Sequence, residues 1–148
     1  MNTISVKVKK LNKNATIPSY GTEFSAGADL YSCIDDDIII NPGSAEMIST
    51  GISVELPEGT VGLIYARSGM AVKRGLAPSN KVGVIDSDYR GEIKVSLYNQ
   101  GNEIQIIKNG ERIAQMIVTP YYFAEYCESS ELTDTVRGSG GFGSTGIK

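Results

Sequence analysis

Ile52-Ser53-Val54-Glu55-Leu56-Pro57-Glu58-Gly59-Thr60-Val61-Gly62-Leu63-Ile64-Tyr65 is the stretch whose reading decides the fold. In its first half apolar side chains fall on every second residue, the period of a strand with one face against a core. The alternation stops at Pro57-Glu58-Gly59, a turn, and Val61 to Tyr65 reads as a further apolar strand. The same grammar repeats outward in both directions. Ile4, Val6 and Val8 alternate with Ser5, Lys7 and Lys9, so a strand begins almost at once. Ile38-Ile39-Ile40 is a strand fragment closed by Asn41-Pro42-Gly43. Downstream, Ile93, Val95 and Leu97 alternate with Glu92, Lys94 and Ser96 and end at Asn99-Gln100-Gly101-Asn102. Ile104 to Ile107 leads through Asn109-Gly110, a strong tight-turn pair, to Ile113 to Val118. Only Ser68 to Arg74 reads as a helix, barely two turns long. Short strands set off by Gly and Pro turns predict an all-β subunit, a barrel or sandwich.

The chain has 148 residues, 41% of them apolar and 21% charged, which is one globular domain's worth of sequence. No apolar run approaches the roughly 20 residues of a membrane helix, and the N-terminus lacks a signal-peptide core. A cytoplasmic protein without a membrane partner is expected. The formal charge of -3 leaves no global positive field to hold nucleic acid, so a polyanionic ligand must be met by local charge and a metal. Cys33 and Cys127 form no C-x-x-C pair and are expected to stay reduced. The chain has no histidine. That removes His-assisted triads, HExxH zinc sites and His/Cys deaminase sites, and leaves acid–base chemistry to Asp, Glu, Tyr or Lys. Composition shifts at about Ser129, after which Gly, Ser and Thr take over; the expected division is a body over 1–128 and an arm over 129–148.

Five segments carry candidate chemistry. The arm holds Arg137-Gly-Ser-Gly-Gly-Phe142-Gly143-Ser144-Thr145-Gly146, in which glycine backbone can approach an anion, hydroxyls donate to it, and Arg137 offers a planar fork. Phe142 has nothing local to pack on and suits stacking on a flat ligand. Taken alone, a Gly-rich tail of this kind reads more simply as a solvated linker. Ala66-Arg67-Ser68-Gly69 follows a strand and opens the helix, an anion site or simply a Ser68 cap. Gly83-Val84-Ile85-Asp86-Ser87-Asp88-Tyr89-Arg90-Gly91 packs two carboxylates and a tyrosine between strands, either as an ordinary Asx turn or with Asp86 orienting a water and Tyr89 closing on a sugar. Gly110-Glu111-Arg112-Ile113-Ala114-Gln115-Met116 enters a strand, and a regular strand puts Arg112 and Gln115 on opposite faces. Ala26-Gly27-Ala28-Asp29-Leu30 carries one buried-looking acid.

In order and spacing, these five segments resemble the five motifs of the trimeric dUTP diphosphatase (dUTPase) family: AGADL at 26–30, ARSGMA at 66–71, GVIDSDYRGE at 83–92, GERIAQM at 110–116 and RGSGGFGSTG at 137–146. The resemblance implies a dUTPase-like barrel or jelly-roll subunit in a homotrimer, with active sites at subunit interfaces and the arm folding over bound dUTP. It implies Mg²⁺-dependent hydrolysis of dUTP at the α-phosphorus to dUMP and diphosphate, which lowers dUTP and supplies dUMP for thymidylate synthesis. By position, Asp86 matches the carboxylate that activates water, and Tyr89 the residue under deoxyribose that leaves no room for a 2′-hydroxyl. Asn80 matches the uracil-contacting asparagine, with the backbone through Gly83, Val84 and Ile85 completing the base contacts. Arg67, Ser68, Gly69 and Gln115 match phosphate contacts, and Asp29 a residue tied to magnesium through water. Arg137, Gly143, Ser144 and Thr145 match the arm's grip on the outer phosphates, with Phe142 over uracil. The rival readings are a dCTP deaminase, which lacks the tail and the IDxDYRG pairing, and a non-enzymatic nucleotide sensor.

Overall fold

The computed structural model describes residues 3–142. Strands β1 (Lys7–Lys10), β2 (Ser19–Tyr20), β3 (Ala28–Tyr31) and β4 (Ile38–Ile40) lead into β5 (Ala45–Ser49), β6 (Ile52–Glu55) and β7 (Thr60–Tyr65). A short helix, α1 (Ser68–Arg74), comes next. Then come β8 (Leu76–Pro78), β9 (Gly83–Ile85), β10 (Lys94–Asn99), β11 (Gln105–Ile107) and β12 (Arg112–Pro120). The all-β expectation holds, and the helix spans the residues read from sequence. Gly75 ends it in the left-handed conformation at φ 65°, donating back to Ala71 and Met70. Arg74 bolts its last turn to the body, donating to Gln105, Glu111 and the Ile106 carbonyl.

The largest sheet runs β2-β3-β12-β7-β9; a second runs β5-β10-β8, and β1-β6 and β11-β4 form two ribbons. Every pairing is antiparallel. This is a jelly-roll-like arrangement. Its interior is filled by the alternating positions read from sequence: Ile52, Val54, Leu56, Ile93, Val95 and Leu97 are all buried, with Leu30, Ile48, Ile107 and Ile113 beside them. Each such side chain contributes roughly 1.5–3 kcal/mol on leaving water.

Three local expectations are corrected. The first strand starts at Lys7 rather than Ile4, which is half exposed. The turns Pro57-Glu58-Gly59 and Asn109-Gly110 both form, with Gly59 at φ 75° and Gly110 at φ 77°, but they join sheets rather than ladder partners. After the first, β6 pairs with β1 while β7 pairs with β12 and β9; after the second, β11 pairs with β4 while β12 pairs with β3 and β7. Ser53 lies on the face that alternation assigns to solvent and is nevertheless buried, because its hydroxyl donates to the Arg90 carbonyl at 2.7 Å. No described helix is long and apolar enough to cross a membrane.

Candidate active site

β9 is short because its job is delivery. Its three residues pair with β7 (Gly62 with Ile85, Leu63 with Val84, Ile64 with Gly83), so Asp86 emerges at the sheet edge, exposed. The chain then turns: Tyr89 donates its N–H to the Asp86 carbonyl at 3.2 Å. Arg90 folds back over that turn and donates to the carbonyls of Ser87 at 2.6 Å and Tyr89 at 3.0 Å. Ser53 holds the Arg90 carbonyl from β6, and Glu92 accepts the Gly51 N–H at 2.9 Å while pairing with Lys94 at 3.4 Å. The turn is thereby pinned on both sides. Asp86 and Tyr89 line one recess of ≈ 560 Å³, together with Val84, Ile85 and Lys94.

A smaller recess of ≈ 80 Å³ adjoins it, lined by Asn80, Gly83, Val84, Ile85 and Ile64 among others. The segment before it is tight: Lys81 sits at φ 67°, and Val82 donates to the carbonyl of Asn80 at 2.8 Å. A non-glycine residue at that φ in a turn of two-residue reach is strained, and such strain concentrates at ligand-contacting segments. At Gly83 a side chain would press on Ile64, its Cβ 3.1 Å away, and on the Asn80 amide at 3.4 Å. Backbone therefore forms that wall. β8 and β9 flank this recess without pairing to each other, since β8 belongs to the β10 sheet.

The third site is an arginine pocket of ≈ 380 Å³ at the β3-β12-β7 junction, lined by Asp29, Arg67, Ser68, Gly69, Arg112 and Gln115 with the Gly21–Gly27 side. Gln115 is in register with both Asp29 on β3 and Tyr65 on β7, and its Nε2 donates to the Ala66 carbonyl at 2.9 Å. Asp29 is buried, as its setting among small residues indicated, and its carboxylate accepts from Arg67 Nε at 2.6 Å and Arg112 at 3.2 Å. The expectation that Arg112 and Gln115 face opposite ways is overturned: the register slips between Arg112 and Ala114, so Ile113 is an extra residue and the two side chains come to the same pocket. Two buried residues in a row, Ile113 and Ala114, mark the bulge. The Ser68 cap reading also fails, since the N-cap is Arg67 and no side chain caps the helix.

One chain does not gather every predicted residue. The arginine pocket and the Asp86–Tyr89 recess share no lining residue. Arg137 donates to the Gly140 carbonyl within its own segment and Phe142 is fully exposed. Gly143, Ser144 and Thr145 lie outside the described residues. Sequence reasoning missed Arg112 in the pocket wall and Arg90 as the lock of the turn; both already stood out as motif arginines, but only their neighbours in space assign them work. Among the described residues there is no cluster of three or more His, Cys, Asp or Glu suited to hold a metal. Both cysteines are free, Cys33 buried and Cys127 exposed.

The dUTPase family profile matches residues 13–146. Deoxyuridine 5'-triphosphate nucleotidohydrolase of Rickettsia prowazekii (strain Madrid E) is 51% identical over 148 residues, covering 99% of this chain and 100% of that one. The protein of the same name from Desulfitobacterium hafniense (strain DSM 10664 / DCB-2) is 48% identical over 150 residues, covering 99% of each. Among solved structures, a point mutant of Staphylococcus bacteriophage 80alpha dUTPase with dUpNHpp superimposes with a TM-score of 0.85 at 29% identity, covering 98% of this chain and 100% of that one. Fold, motif order and full-length identity agree, and the chain belongs to the dUTPase family.

Proposed function

We propose that this protein is a dUTP diphosphatase that hydrolyses dUTP at the α-phosphorus to dUMP and diphosphate, with Mg²⁺, in the cytoplasm and as a homotrimer. The observation that carries the reading is the pinned turn that sets Asp86 and Tyr89 in one recess, beside the backbone-walled recess at Asn80 and Gly83. Asp86 takes a proton from water as the water oxygen attacks the α-phosphorus; the bond to the bridging oxygen breaks and diphosphate leaves. Tyr89 packs against deoxyribose. Uracil enters the smaller recess, where Asn80 and the backbone of Gly83, Val84 and Ile85 meet its polar edge. A rigid backbone wall rejects the thymine methyl, and unmatched donors reject cytosine.

Arg67, Ser68, Gly69 and Gln115 bind the phosphates, where fixed positive charge lowers the energy of the leaving diphosphate. Among the described residues Asp29 is the one carboxylate lining that pocket, and both its oxygens are engaged by arginines. That donor set fits Mg²⁺, which keeps its waters and binds mainly through substrate phosphates. Asp29 would hold the ion through water, and the ion would supply further positive charge to the phosphates.

The trimer answers the separation within one chain: the phosphate pocket of one copy faces the Asp86 recess of another. The arm over 129–148 closes the site with Arg137, Phe142, Gly143, Ser144 and Thr145. The aromatics Tyr122, Phe123 and Tyr126 just before it support this, since they stand almost fully exposed among the described residues. The test is a panel of dUTP, UTP, dTTP and dCTP with and without Mg²⁺, reading diphosphate and ammonia release. Diphosphate from dUTP alone, dependent on Mg²⁺, is the expected result; ammonia from dCTP overturns it in favour of a deaminase.

A further inference from the structure

We infer that Gly91 is a positioning residue for sugar selection: its missing side chain is the space in which the Tyr89 phenol is held. The inference rests on the reading of Tyr89 as the deoxyribose contact. The phenol end of Tyr89 lies across the α-carbon of Gly91 and its hydroxyl donates to the Glu92 carbonyl at 3.1 Å. A Cβ built on Gly91 would overlap the phenol oxygen and stand 2.5 Å from Cζ and 2.9 Å from Cε2. Ordinary contact would then require a movement of about 1 Å.

The ring has to make that movement, because the backbone cannot. Residues on either side of Gly91 are tied to β6 and its leading turn: Ser53 donates to the Arg90 carbonyl, Gly51 to the Glu92 carboxylate, and Ile93 to the Ile52 carbonyl at 2.8 Å. Gly91 is not among the glycines held at positive φ, so alanine meets no left-handed backbone penalty there, and its three closest contacts are all with the ring. Tyr89 itself is 43% exposed, its remaining surface open to the recess it shares with Asp86. A ring pressed from behind at Gly91 and tethered at Glu92 stands at one depth. A Cβ at Gly91 drives the phenol off this seat and breaks its bond to the Glu92 carbonyl. A ring without its seat no longer holds the depth at which it denies the space of a 2′-hydroxyl.

The experiment compares kcat/KM for UTP and dUTP in wild type, Gly91→Ala, Tyr89→Ala and the double variant Gly91→Ala/Tyr89→Ala, with melting temperature as the fold control. Gly91→Ala is expected to raise the UTP/dUTP ratio roughly tenfold or more, and the double variant to match Tyr89→Ala, because the three atoms nearest the added methyl all belong to the Tyr89 ring. The double variant is expected to fold even if Gly91→Ala is unstable. A raised ratio in Tyr89→Ala with an unchanged ratio in a folded Gly91→Ala overturns the role of Gly91 and leaves the sugar contact standing. A double variant that is more permissive than Tyr89→Ala, or that fails to fold, also overturns it. An unchanged ratio in Tyr89→Ala removes the underlying reading of Tyr89 and this inference with it.

Discussion

Asp29 and Arg67 meet at 2.6 Å across 38 residues of sequence, carboxylate to guanidinium, with Asp29 buried and Arg67 mostly so. A second guanidinium, Arg112, approaches the other oxygen at 3.2 Å but is half exposed. The asymmetry decides the energetics. Removing the buried acid leaves two guanidiniums facing each other without their counter-charge, which costs about 3 kcal/mol or more. Removing the exposed arginine costs below about 1 kcal/mol. Asp29→Ala is therefore expected to lower the melting temperature by on the order of 10 °C, and Arg112→Ala by only a few degrees. Equal losses in the two variants, read by calorimetry, would show that the pair is not organised around Asp29.

Asp86 stands at the end of β9, exposed, on a turn whose own hydrogen bonds run through backbone and Arg90. Its side chain is not needed to hold that turn. Asp86→Asn is expected to cut kcat roughly 10² to 10⁴-fold while leaving the affinity for a non-hydrolysable dUTP analogue within about threefold. Rapid turnover in this variant would move the base to another residue.

The burial of Asp29, the helix at Ser68 and the two strands between Ile52 and Tyr65 were legible because each rests on local pattern. The common face of Arg112 and Gln115 was not. It depends on one extra residue, Ile113, whose presence shows only in the register with β3, and alternation applied to the bare strand gives the opposite answer. Likewise Ser53 reads as a solvent-facing strand serine until the Arg90 carbonyl arrives from 37 residues away to cover it. The separation of the predicted residues obeys the same rule: motif order brings Asp86 and Arg67 under one expectation, but nothing in their spacing says that they line separate recesses of the chain.

Gly51 sits at φ 67°, and a Cβ there would stand 2.8 Å from Cys33 Sγ and 3.0 Å from Ala15 Cβ, both buried. Its carbonyl accepts from Leu11 and Asn12, so it also anchors the N-terminal segment. Gly51→Ala combines backbone strain with overpacking and is expected to cost about 2–4 kcal/mol. Denaturant unfolding checks it; a change below about 1 kcal/mol would show that this corner relaxes freely.

The Cys33 thiol is pushed up from its ordinary value by burial first, and then by the negative charges of Asp35 and Glu92. A raised value in the folded state means that the native protein keeps a proton the unfolded chain gives up. This contribution is full below the ordinary thiol value of 9.0 and is lost as pH rises through the folded value. The melting temperature of the wild type is expected to fall more steeply above that pH than that of Cys33→Ala. Native labelling at mildly alkaline pH is expected to modify Cys127 alone, which is exposed. A second thiol modified in the folded protein at that pH would contradict the burial of Cys33.

The segment after β12 differs from the body in how its polar groups are satisfied. Tyr121 still donates to the Gly59 carbonyl, but beyond it the bonds of the described residues are local: Ser129 with Glu131, Thr135 with Gly138, Arg137 with Gly140. Val136 and Phe142 are exposed, so deleting the described residues beyond Thr135 takes no large apolar side chain out of this chain's core. A chain ending at Thr135 is expected to melt within about 2 °C of the full-length protein, since no buried contact of the described residues is lost. It is also expected to lose most of its dUTP turnover, because Arg137 and Phe142 leave with the arm and the phosphates lose charge-assisted donors worth about 1.5–3 kcal/mol each. The two readouts separate the roles of the segment. Full activity at an unchanged melting temperature would make it a linker, whereas a large fall in melting temperature would make it part of the fold.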